Sequence, residues 1–151
     1  MFVTALACLA KLLWTKKYFL AFVKLDFAND YWPDVGVVEA SELADELSEG
    51  EWDWFCENWK EMEVIAQTRF AEIASETSHL TDETMAMLLE MLSSDSPDIV
   101  EASIDSMNSI SQNLIHRFDL DKTINLLKHS SPEGRLAKIV LASLLTRLEN
   151  D

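Results

Sequence analysis

Histidine and cysteine are the side chains best suited to catalysis or metal binding, and this chain of 151 residues has three of one and two of the other. His79, His116 and His129 fall in separate segments; none opens an H-E-x-x-H helix, and none stands at zinc spacing from a cysteine. Glu76 and His79 have the i, i+3 spacing of a di-iron bundle, but that site needs a second such pair and two further carboxylates, and no second Glu-x-x-His exists. Cys8 and Cys56 are far apart in apolar surroundings, which predicts two buried free thiols in a reducing compartment. Gly36, Gly50 and Gly134 stand alone, without the clustered glycines of a phosphate-cradling loop, so nucleotide binding has no support. Twenty-seven acids make some carboxylate pairs inevitable, so their proximity carries no glycosidase signal. The expectation is a protein without enzymatic activity, metal or cofactor, which acts by binding.

The charge points to what it binds. The net charge is −15, yet residues 1–25 carry four lysines and no acid. Between Asp26 and Glu63 thirteen acids face Lys60 alone, a local charge of −12. Such a field repels nucleic acid and anionic membranes, and it steers basic proteins toward the surface. Within it lies Trp52-Asp53-Trp54-Phe55-Cys56-Glu57-Asn58-Trp59, where aromatic and acidic residues alternate in blocks. Trp52, Phe55, Trp59, Met62, Ala66, Phe70 and Ile73 recur at steps of three and four and read as one buried stripe of a helix. Asp53 and Glu57 fall opposite, while Trp54, Glu61 and Ile65 share a flank between the two faces. Trp54 fits the core or a contact equally well; an aromatic ring among charges is a common interface anchor. The candidate partner surface comprises Glu42, Asp45, Glu46, Glu49, Asp53, Trp54, Glu57, Glu61 and Ile65.

These residues must be positioned by helices. Three glycines and three prolines are too few to punctuate strands, and the apolar period is helical, so the chain is expected to be all-α and one domain over residues 1–151. Residues 1–25 read as an apolar, basic helix. Its lysines interrupt the run before a membrane span is complete, and no basic segment precedes it as in a signal peptide, so a cytoplasmic protein is expected. Residues 26–40 read as an irregular connection around Pro33 and Gly36. Helical hairpins then fill residues 41–148. Ser41 is expected to cap a short acidic helix stopped near Gly50, and a single long helix is expected from Glu51 to about Glu76. Thr81, Ser96 and Asp119 are further candidate caps. The helix after Pro97 is expected to run to about Arg117, and the last one to start at Ser131-Pro132-Glu133.

Ser96-Pro97-Asp98 and Ser131-Pro132-Glu133 are 35 residues apart, and their surroundings correspond: Met91-Leu92 with Leu126-Leu127, Ala102 with Ala137, Ile104 with Ile139, Met107 with Ala142. A short helix, a polar turn and a longer helix are therefore repeated. The stretch from Leu126 to Ala137, with Leu-Leu, turn, Pro, basic residue and Ala, is similar to HEAT-type helical repeats, which implies a short α-solenoid or an irregular helical bundle used as a protein-binding scaffold. In size, charge and architecture the whole resembles the bacterial immunity proteins that neutralise polymorphic toxins of the contact-dependent-inhibition type. That resemblance implies an inhibitor of a basic toxin domain such as a nuclease, without direct nucleic-acid contact. The alternatives are a structural or adaptor subunit docked through its N-terminal helix, and an inhibitor that mimics nucleic acid.

Overall fold

A computed structural model of the protein describes residues 15–27 and 30–150. Among these residues there is no strand, and the chain is all-α. The predicted N-terminal helix is described as α1 over residues 15–24; Cys8 lies outside the described residues. Phe19 and Val23 of α1 are fully buried, and the Phe19 ring meets Phe55 and Phe70 edge-on at 5.2 and 6.1 Å. The last carbonyls of a helix have no partner within it. Here Arg69, only 7 % exposed, donates from Nη1 to the carbonyls of Val23 and Leu25 at 2.9 and 2.6 Å. Its guanidinium also lies over the rings of Phe27 and Trp32.

The segment around Pro33 and Gly36 is not irregular. A π-helical turn, Trp32–Gly36, runs into α2, Val37–Asp45. Pro33 sits in the first turn, where its missing N–H leaves no bond unmade. Gly36 is required because a Cβ there would meet the Trp32 ring at 2.7 Å. Ser41 is inside α2 and not its cap; its hydroxyl donates back to the Val37 carbonyl at 2.7 Å. The cap belongs to Ser48, which forms a reciprocal capping box with Glu51 at the start of α3, Glu49–Glu57, so Gly50 lies within the helix it was expected to end.

The expected long helix from Glu51 to Glu76 is two helices. The Asn58 side chain donates to the Trp54 carbonyl at 2.8 Å, and the backbone leaves helical geometry there. A 3₁₀ turn, Trp59–Glu61, and extended Met62 and Glu63 lead to α4, Val64–Ile73. Gln67 fixes this corner by donating from Nε2 to the Met62 carbonyl at 2.7 Å. The apolar stripe survives the break. Trp52, Phe55, Trp59, Ala66, Phe70 and Ile73 are all buried, because the two helices close on each other through the rings of Trp52, Phe55 and Phe70.

Thr81 caps α5, Asp82–Met91, as expected, and Pro97 is the first residue of α6, Pro97–Ser109. α6 stops eight residues short of expectation, at extended Ile110, before the single turn α7, Gln112–Ile115. Asp119 caps α8, Leu120–His129, by accepting from the Lys122 amide at 2.9 Å. The last helix, α9, Arg135–Glu149, begins after Pro132-Glu133 because the Glu101 carboxylate of α6 accepts from the amides of Glu133 and Gly134 at 3.0 and 2.6 Å. α4 packs on α6 and α6 on α9, with α2 against α4 at the near end of this row. α3 and α5 pack on each other, α5 on α6, and α8 on α9.

Candidate partner-binding surface

The sequence singled out acids on α2, α3 and the turn that follows, and the structure sorts them by what they touch. Asp45 is committed to the fold, accepting from the Ser78 amide and hydroxyl at 2.7 and 2.8 Å. Glu42 on α2, Glu46 at its C-cap, Glu49 and Glu57 on α3, and Glu61 in the 3₁₀ turn are exposed, with no hydrogen-bond donor or ion-pair partner among the described residues. Other acids of this stretch are engaged: Glu39 accepts from Tyr31, Glu51 closes the capping box, and Glu63 pairs with Lys24 at 3.3 Å.

Asp53 is different. It is half-buried, and its Oδ1 is shielded from solvent without a hydrogen-bond partner among the described residues. Burial pushes its pKa up, and the carboxylates of Glu83, Glu49 and Glu57 push it further, against a smaller opposing effect of His79. Glu49, Asp53 and Glu57 are spaced i, i+4, i+8 along α3, so they form one ridge, which Glu83 of α5 extends across the helix pair. Glu83 was not among the sequence candidates. Periodicity orders residues on one helix and does not report a neighbour from another.

Trp54 is 39 % exposed and Ile65 46 % exposed, so both stand at the surface. Trp54 resolves as a surface aromatic whose edge rests on Phe55, with Lys16 Nζ of α1 placed 3.2 Å from its ring centroid. The ring therefore already holds an ammonium group over its face, which is what an electron-rich indole in an acidic field favours. Next to this surface, Tyr18, Phe22 and Leu43 line a shallow groove between α1 and α2, rimmed by Glu39, Glu42 and Glu46.

The other candidates for chemistry are accounted for by structure. Cys56 is buried and its thiol is pushed up to about 12, mainly by burial, which leaves it protonated at neutral pH. His79 stacks on Trp52 and its Nε2 lies 3.0 Å from the Ala44 carbonyl. Among the described residues no group of three His, Cys, Asp or Glu is placed to hold a metal ion, and no helix is long and apolar enough to cross a membrane. Comparison of the chain with protein-family models, with curated proteins and with solved structures finds no match.

Proposed function

We propose that the protein is an acidic, non-enzymatic inhibitor that takes a basic protein partner on its α2–α3 surface, in the manner of immunity proteins that neutralise a toxin domain. One observation carries this reading: six acids, Glu42, Glu46, Glu49, Asp53, Glu57 and Glu61, have no hydrogen-bond donor or ion-pair partner among the described residues, and Trp54 and Ile65 of the same stretch of chain are exposed. Acids that serve solubility alone do better dispersed and do not need an aromatic ring among them. A partner bearing Lys and Arg is steered by the acids and gains its specificity from the ring, where an arginine or lysine replaces Lys16. The HEAT-like resemblance of the hairpins supports a scaffold role. The adaptor alternative is weakened because Phe19 and Val23 of the N-terminal helix are used in this chain's own core.

Affinity capture followed by identification of the bound protein tests the reading. The expected partner is basic, and Trp54→Ala lowers its affinity roughly 30-fold or more, the loss of about 2 kcal/mol typical of an interface anchor. A captured partner that is neutral or acidic, or that binds the Trp54→Ala variant as well as the original, overturns it.

A further inference from the structure

The two hairpins repeat at an interval of 35 residues, so each position of α5 has a counterpart on α8. Thr84, Met87, Leu88 and Met91 of α5 are all buried. α3 packs on this helix, and Trp52 Nε1 donates to the Thr84 hydroxyl at 2.9 Å. The counterparts on α8 are Asp119, Lys122, Thr123 and Leu126. Three of these four are polar, and α8 does not close on α5 as α5 closes on α3. Arg117, just before α8, pairs with Asp82 of α5 at 2.8 Å, and beyond this link the two helices leave a groove of about 430 Å³.

Ligand sites between helices combine apolar walls with a few polar groups, and this groove has both. Ala86, Leu89, Phe118 and Leu126 supply the walls. The charges at the rim are balanced: Lys122 stands against Asp119, and Glu90 accepts from Trp59 Nε1 at 3.0 Å and from Lys60. Thr123 also lines the groove; it is 1 % exposed, and its hydroxyl has no hydrogen-bond partner among the described residues. A threonine inside a helix ordinarily bonds its hydroxyl to a carbonyl one turn back. This one does not, and a buried hydroxyl left unpaired costs stability. Leu88, fully buried at the same place of the first hairpin, shows that an apolar side chain serves the fold there.

We propose that the α5–α8 groove binds a small, uncharged, largely apolar molecule with one hydroxyl or carbonyl group, which pairs with the Thr123 hydroxyl while its body packs on Leu89, Phe118 and Leu126. The walls favour an apolar body, the balanced rim gives a net charge nothing to gain, and the hydroxyl sets a single polar requirement. Rotation about χ1, which has two low-energy settings for threonine in a helix, lets that hydroxyl follow the ligand. None of these residues belongs to the α2–α3 surface, so the site stands or falls apart from the partner reading.

Titration with para-ethylphenol and with ethylbenzene, followed by amide NMR shifts of the groove residues, tests this on the original chain and on Thr123→Val and Ala86→Trp variants. The original chain should bind para-ethylphenol with a Kd below about 1 mM, the weak end of specific affinity. Thr123→Val keeps the shape of the side chain and removes the hydroxyl; it should melt no lower than the original, bind para-ethylphenol roughly fivefold more weakly, the worth of one neutral hydrogen bond, and bind ethylbenzene unchanged. Ala86→Trp fills the groove from an exposed position, so it should keep its circular dichroism and bind neither molecule. The proposal is overturned if para-ethylphenol leaves the groove amides unshifted up to about 1 mM, or if Thr123→Val melts lower, binds the phenol as well as the original does, or weakens both molecules equally. It is equally overturned if Ala86→Trp still binds them.

Discussion

Asp53 is the residue at which the fold and the proposed surface pull against each other. Its carboxylate is half-buried, lacks a donor for Oδ1 among the described residues, and has Glu49 and Glu57 one turn away on either side. Like charges at i, i+4 each destabilise a helix by about 0.2–0.5 kcal/mol, so Asp53→Asn should raise stability by about 0.4–1 kcal/mol, read as a higher urea midpoint at unchanged slope. An unchanged or lower midpoint would contradict the account of this ridge. The same conflict shows in titration. Burial is also the main cause that raises Glu72 and Asp105, whereas the hydrogen bonds from Lys60 and Trp59 hold Glu90 below its usual value. A carboxylate raised in the folded state binds its proton there at a pH where the unfolded chain does not, so it stabilises the fold as pH falls. Glu90 acts in the opposite sense, and its contribution disappears only when pH drops through its lowered value. With Asp53, Glu72 and Asp105 on one side and Glu90 on the other, the urea midpoint at pH 5 should exceed that at pH 7.5; a lower midpoint at pH 5 would show that the lowered groups dominate.

At the scale of elements, the junction of α6 and α9 makes the clearest prediction. Glu101 reaches across to take two amides at the start of α9, and Gly134 leaves room for it, since a Cβ there would lie 2.9 Å from a carboxylate oxygen. Glu101→Ala should cost about 1 kcal/mol, as loss of a helix cap does, and Glu101→Gln should restore part of it, measured as denaturation midpoints. Equal midpoints for all three would remove Glu101 from this role. The helices themselves were legible in the sequence: Thr81, Pro97 and Asp119 open the elements they were expected to open, and Trp52 to Ile73 form the buried stripe. The errors share a cause. Asn58 ends α3 by bonding the Trp54 carbonyl, Gln67 holds the corner, and Glu101 sets where α9 begins, all through side chains that act on backbone groups elsewhere in the fold. Apolar period continues through such breaks, so it does not show them. Ser41 misled for a related reason, since a serine that bonds back within a helix has the same sequence appearance as one that caps it.

For the whole molecule, the separation of charge matters more than its sum. Acids gather on α2, α3 and the turns that follow them, while α8 and α9 carry most of the C-terminal cations. The acidic surface was legible in the sequence as a run of charge; its division into engaged and unengaged acids was not, because Asp45 is bound by Ser78 from a loop 33 residues away. Lys16 over Trp54 was equally hidden, since it joins two helices of distant sequence. If the unengaged acids steer a basic partner, their effect belongs to the rate of encounter and must weaken as salt screens it. The most direct test is the association rate of the captured partner, followed by stopped flow from low to physiological ionic strength, for the original chain and for a variant with Glu49, Glu57 and Glu61 each changed to Lys. The rate for the original chain should fall steeply with salt, and the variant should associate at least tenfold more slowly at low salt with its salt dependence lost or reversed. Equal rates and equal salt slopes for the two proteins would contradict the claim that this surface receives a basic partner.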